Sequence, residues 1–197
     1  MKKLILLSTI VIAAVLCTAC INNLAIQELN NKAQEYMKAG DVQSAICRLK
    51  SSLDLDSNFF ETNYNLSVAY IEAKEWENAQ IYLAKTLAIN PNFPDAYYSL
   101  GYVYENLAYD IASKVEDANG NSDGDILITE TEIQQKEVEL SSEDKKQILT
   151  YYEKAKEAYN KFLSMSVDKA AQDDANKAIE TIEREMSKYS DTETLDE

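Results

Sequence analysis

The sequence predicts an all-α solenoid of three helix pairs closed by a C-terminal capping helix. Three observations carry that prediction. Apolar residues fall at helical spacing through Phe60–Phe93, in two runs broken at Lys74-Glu75 and closed by Asn90-Pro91. The pattern also recurs at one distance: Tyr36, Tyr70 and Tyr104 are spaced by 34 residues, as are Leu66 and Leu100, Ala45 and Ala79, Leu53 and Leu87, and Leu55 and Ile89. Finally, only 4 glycines and 2 prolines in 197 residues leave few places for a helix to stop. A helix pair of this length cannot bury its apolar faces alone and needs a neighbour of the same shape.

The central pair sets the register. Its first helix aligns Tyr64, Leu66, Val68, Ala69, Tyr70 and Ile71, and its second aligns Trp76, Ala79, Leu83, Leu87 and Ile89. The order Leu66-Ser67-x-x-Tyr70, then Ala79-x-x-x-Leu83, then Pro91 resembles the tetratricopeptide repeat (TPR), and Leu100-Gly101-x-x-Tyr104 repeats its first half. Small residues at Ala45, Ala79 and Gly101 let helices approach closely, and Pro91 blocks helix continuation. The resemblance implies a TPR-type α-solenoid whose first helices line a concave, peptide-binding face.

Taken in order, residues 1–19 read as a signal peptide. Lys2-Lys3 precedes an uncharged run from Leu4 to Ala19 that is short for a membrane span. Cys17-Thr18-Ala19-Cys20 resembles the bacterial lipobox, with Cys17 standing where an aliphatic residue is usual. That resemblance implies lipidation at Cys20 and a lipidated tether over 20–25. Cleavage near Ala19 by an ordinary signal peptidase is the other reading of the same residues. Ile21 after the cysteine, in place of an aspartate, implies outer-membrane sorting in a two-membrane bacterium. The TPR domain is expected over 26–167, its first pair turning at Gly40-Asp41, where the glycine ends one helix and the aspartate caps the next. Cys47 is expected as a buried thiol in the apolar face of the second helix.

The third pair is interrupted. Pro94 opens its first helix, and Tyr98, Leu100, Tyr102, Val103, Leu107, Ile111 and Val115 carry the pattern past the usual end. The second-helix pattern returns as Tyr152, Ala155, Tyr159, Leu163 and Met165, 42 residues later than the period requires. An insertion therefore occupies about 109–143, and insertions on one edge of an array often carry function. A single apolar stripe of Ala171, Ala175, Ala178, Ile179, Ile182 and Met186 marks residues 168–189 as the capping helix, with a disordered tail over 190–197.

Within the insertion, Asn119 to Glu130 resembles an EF-hand loop. The resemblance implies Ca2+ ligands at Asn119, Asn121, Asp123 and Glu130, with the Asp125 backbone carbonyl, and Gly124 at the bend. Asn119 is neutral where aspartate is nearly obligatory, and Leu127 offers no oxygen, so the site holds less charge than the family's. The same Asn, Gly, Asp and Ser residues also suit a plain acidic turn.

Charge and composition narrow the partners. A formal charge of −15, which becomes −17 once Lys2 and Lys3 are cleaved away, disfavours nucleic acid and anionic lipid surfaces and favours a basic or apolar protein or peptide. With no histidine, no phosphate-binding glycine loop and no nucleophile beside a base, the chain reads as a scaffold and not an enzyme. Mapped onto the family's concave face, the first helices present Gln27, Asn30, Gln34, Met37 and Lys38, then Glu61, Tyr64, Val68, Ile71 and Glu72, then Asp95, Tyr98, Tyr102, Glu105 and Asn106. Tyr64, Val68, Ile71, Tyr98 and Tyr102 are the expected partner-binding residues, with packing against neighbouring helices the competing role. Only Asn65 matches the lysine-and-asparagine clamp by which some family members grip a terminal carboxylate, and Asp95 would repel one. Two functions follow: a membrane-anchored scaffold in the bacterial cell envelope, or a calcium-responsive adaptor using the 119–130 loop.

Overall fold

The computed structural model describes residues 22–120, 140–165 and 168–190, and every regular element among them is helical. Helix α1 covers residues 22–38, followed by α2 (Val42–Leu55), α3 (Phe60–Glu72), α4 (Trp76–Ile89), α5 (Pro94–Gly120), α6 (Ser142–Leu163) and α7 (Lys169–Ser190). The fold class is the expected all-α, TPR-type arrangement of helix pairs. The chain divides into two compact units, one ending at Phe93 and the other beginning at Pro94.

In the first unit both helix-pair turns are built alike. Gly40 adopts φ +77°, and the Asp41 N–H donates to the Tyr36 carbonyl at 2.9 Å. Lys74, 34 residues on, adopts φ +57°, and the Glu75 N–H donates to the Tyr70 carbonyl at 2.9 Å. The left-handed position suits glycine and strains a lysine, so the second turn holds its shape against a local preference. Asp41 caps α2 by accepting the Ser44 N–H at 3.1 Å. Glu75, at the matching position, makes no side-chain cap to α4.

The core of this unit follows the 34-residue repeat. Ala45 with Ala79 and Leu49 with Leu83 are fully buried at matching positions, together with Ile26, Ala33, Leu66 and Ala69. The last turns of α2 and α4 depart from expectation. Leu55 and Ile89 are 40% and 39% exposed, while Ser52 and Thr86 are fully buried. Thr86 lies three residues beyond Leu83 on the inward stripe, whereas Ile89 has already reached the open end of the helix. The Thr86 hydroxyl donates to the Tyr82 carbonyl at 2.9 Å, so its methyl group is buried without an orphaned oxygen. Cys47 is exposed, correcting the expectation of a buried thiol. It stands two residues after buried Ala45, which carries it about 200° around the helix.

The seam between the two pairs is polar. Asn30 Nδ2 donates to the Ile26 carbonyl at 2.9 Å and lies within hydrogen-bond distance of Ser52 Oγ (3.1 Å) and Thr62 Oγ1 (2.8 Å), both fully buried. Asn65 Nδ2 donates to Asn30 Oδ1 at 2.9 Å. One amide thus ties α1, α2 and α3 together. Beyond α4, the Phe93 ring meets Phe60 and Tyr64 edge-on at 5.5 and 4.8 Å.

The second unit is aromatic where the first is polar. Helix α6 buries Ile148, Tyr152, Ala155, Tyr159 and Phe162 against α5 and α7, which contribute Ala108, Ala175 and Ile182. Ser141 caps α6, accepting the Asp144 N–H at 3.0 Å while its hydroxyl donates to the Asp144 carboxylate at 2.6 Å. Gly101 sits under the Tyr159 ring: a Cβ at residue 101 would lie 2.7–2.8 Å from three ring carbons. That glycine is required by close approach, since its backbone is helical.

Each of the three repeat tyrosines lies under a lysine, but from a different place: the same helix for Tyr36, the preceding helix for Tyr70 and the following helix for Tyr104. Lysine ammonium groups sit over Tyr36 (Lys32, 5.7 Å), Tyr70 (Lys50, 5.5 Å) and Tyr104 (Lys154, 5.6 Å). Tyr70 stacks on Tyr82 and Tyr104 on Tyr151.

Candidate partner-binding site

The expected binding residues divide between the units. Tyr64, Val68 and Ile71 lie within two turns of α3 and are each half-buried. Tyr64 gives part of its ring to Phe93. Tyr98 and Tyr102 are one turn apart on α5 in the second unit. Tyr98 packs edge-on against Tyr159 at 5.4 Å and Phe162 at 5.2 Å, so much of its ring area belongs to the core. Burial raises its phenol pKa above the ordinary value, and the nearby charges of Asp174 and Glu105 push the same way. Tyr102 is the most open of the five, at 43% exposure.

Asn30, placed by the sequence on the same face, is 9% exposed and locked in the α1–α3 seam. It is thus a structural residue. Asn65, the lone match to a carboxylate clamp, has its amide committed to Asn30.

The second unit contains a cavity of about 400 Å³ between α5 and α7, with α6 as its floor. On α5, Tyr102, Glu105, Asn106 and Tyr109 recur at three- and four-residue steps and therefore share one helical face. On α7, Ile182 is buried and Glu185 half-buried at the same spacing. Tyr152 closes the floor, and burial, helped by Tyr189, Glu185 and Glu105, pushes its phenol pKa up to about 12. Glu105 is the unusual group. Burial raises its pKa, offset in part by a hydrogen bond shared with the Tyr159 hydroxyl. Its Oε1 is covered and has no hydrogen-bond partner among the described residues. Burial likewise drives the Tyr159 phenol far above the ordinary range, with the Glu105 charge next in size, so that group stays a neutral donor.

A second groove in this unit, between α5 and α6, has a different character. It is lined by Tyr97, Leu100 and Tyr104 with Lys154 and Lys161. The helical spacing of the sequence places Glu105 and Asn106 on the concave face. It does not place Tyr109, Tyr152, Ile182 and Glu185 there, because the first falls in the insertion and the others lie on helices whose apolar stripes read as packing.

The expected Ca2+ ligands Asn121, Asp123, Asp125 and Glu130 lie outside the described residues, as do Cys20 and the signal peptide. Asn119 is in the last turn of α5, and its side chain is likewise outside the described part. Among the described residues, no cluster of potential metal ligands occurs and no helix is long and apolar enough to cross a membrane.

Residues 36–101 match the tetratricopeptide repeat family. No curated protein sequence matches the chain. Among solved structures, the first TPR domain of Spaghetti (RPAP3) bound to the HSP90 peptide SRMEEVD is similar with a TM-score of 0.57 at 18% identity, covering 83% of this chain and 94% of that one. The first TPR domain of the human RPAP3 protein gives 0.56 at 17% identity, covering 85% and 96%. The Sgt2 TPR domain from Aspergillus fumigatus gives 0.51 at 16% identity, covering 83% and 80%. At these identities the likeness shows the fold alone.

Proposed function

We propose that this protein is a membrane-anchored scaffold that binds a protein or peptide partner in the bacterial cell envelope. The single observation that carries the reading is the TPR-type helix pairing, with Tyr64, Val68 and Ile71 on α3 and Tyr102 on α5 left half-buried or exposed. The similar Spaghetti domain holds a peptide with two glutamates and one aspartate. Here a formal charge of −15, Asp95 on the exposed start of α5 and the engaged Asn65 favour a basic or apolar partner instead. Anchoring rests on the lipobox-like Cys17–Cys20, and outer-membrane placement on Ile21.

Photo-crosslinkers placed at Val68 and Tyr102 should capture the same partner in cells. One placed at Ile81, 51% exposed on the second helix of its pair, should not. Equal capture from all three positions would defeat the reading. Cys20→Ser should release the protein from the membrane fraction, and its retention there would exclude lipid anchoring.

A calcium-responsive adaptor is the second reading. It is supported by the EF-hand-like pattern from Asn119 to Glu130 and by α5 remaining helical up to Gly120, where an entering helix would end. Calorimetric titration with Ca2+ should then release heat that Glu130→Gln removes.

A further inference from the structure

We propose that the cavity between α5 and α7 receives a lysine or arginine side chain of the partner polypeptide, with Glu105 as the acceptor. The proposal rests on the peptide-binding reading above and names what that site selects.

The lining supplies two carboxylates and three tyrosines, and none of its residues is basic. Of the carboxylates, Glu185 is already engaged by Lys188 at 2.6 Å, with Arg184 Nε at 3.8 Å. Glu105 has no cation beside it: the salt bridges among the described residues leave it out, its one hydrogen bond is shared with the neutral Tyr159 hydroxyl, and its covered Oε1 lacks a donor. A half-buried carboxylate without a cation is costly, and a cationic N–H entering the cavity that Glu105 lines would offset that cost with a charge-assisted bond to the carboxylate. Tyr102 and Tyr109, 43% and 61% exposed, lie two helical turns apart at the rim. Their ring faces can take the methylenes and the cation of a long basic side chain. A volume near 400 Å³ leaves ample room for one such side chain together with adjoining atoms of the peptide. The α5–α6 groove sets Lys154 and Lys161 against the single carboxylate of Glu157, a net positive lining that disfavours the same group. The cavity between α5 and α7 is therefore the part of this unit whose charge and shape fit a cation.

The test is an NMR titration of the isotopically labelled protein with acetyl-Leu-Lys-Leu-amide, its arginine counterpart, and the Nε-acetylated lysine form. The lysine and arginine peptides should shift Tyr102, Asn106, Tyr109 and Thr181. Acetylating the lysine should weaken binding about tenfold or more, the size expected for a hydrogen bond to a charged group. Glu105→Gln should weaken the lysine peptide to a similar degree while leaving the spectrum otherwise folded. Equal binding of the acetylated peptide would assign the cavity to an apolar occupant and overturn the proposal. Shifts confined to Tyr64, Val68 and Ile71 would overturn it too, yet leave peptide binding standing. No shift at millimolar peptide would also overturn it, with the crosslinking experiment deciding separately whether the chain binds a polypeptide.

Discussion

The two units solve one packing problem with opposite chemistry. In the first, Ser67 and Leu83 are both fully buried, and the seam between pairs is held by Asn30, Ser52, Thr62 and Asn65. In the second, Gly101 stands at the position of Ser67, and Tyr159 stands where Leu83 would fall once the insertion is skipped. One side chain grew and its neighbour shrank. The large ring brings a hydroxyl into the core, and that hydroxyl holds Glu105 beside the cavity. The aromatic exchange is thus what makes the second unit able to carry a buried carboxylate, while the first uses its buried polar groups only to join helices.

The largest expected effect comes from removing the ring. Tyr159→Ala should lower unfolding stability by about 3–5 kcal/mol, as for other large-to-small aromatic changes in a core, measured by urea denaturation. Gly101→Ser, which installs the first unit's residue, should cost about 1–3 kcal/mol from overpacking against Tyr159. Adding Tyr159→Leu should recover part of that loss, because the pair then matches Ser67 and Leu83. Additive losses in the double mutant would show that the two positions are not exchanged as a unit.

In the first unit, Asn30→Ala should cost about 1–3 kcal/mol, since Asn65 loses its acceptor and the buried Ser52 and Thr62 lose a shared partner. Lys74→Gly should do the reverse, stabilising by about 0.5–1 kcal/mol because glycine accepts the φ of +57° without strain. A thermal midpoint unchanged by Lys74→Gly would mean the turn is not where the strain lies.

The smallest effect is a pH dependence that only the second unit should show. Burial raises the Glu105 pKa in the folded chain above the ordinary carboxylate value. The folded state therefore holds that proton more tightly than the unfolded state. The resulting penalty is absent below the unfolded value, grows as pH rises through the interval, and is complete above the folded value. Glu105→Gln should accordingly stabilise the protein near neutral pH and have little effect at pH 4, read as the difference in thermal midpoints. A constant difference across that range would contradict the burial of this carboxylate.

Much of this molecule was legible before any coordinates. A period of 34 residues, with small residues at Ala45, Ala79 and Gly101, determined helix pairs, because stacked copies must repeat their contacts at one spacing. The turn at Gly40-Asp41 and the resumption of the pattern near Ser142 were equally readable, since capping and breaking are local chemistry. The expected tether was less so: residues 22–25 are already helical, ahead of the first apolar repeat position.

What only the tertiary structure decided is which polar and aromatic residues face inward. Periodicity places Asn30 and Tyr98 on the same nominal face as Tyr102. Asn30 is drawn into a seam by partners 22 and 32 residues away, and Tyr98 is claimed by two rings of α6. Glu105 could be placed on a helix face from its spacing alone. That its carboxylate shares a hydrogen bond with Tyr159 depends on a residue arriving from beyond the insertion, and no local pattern encodes so distant a neighbour.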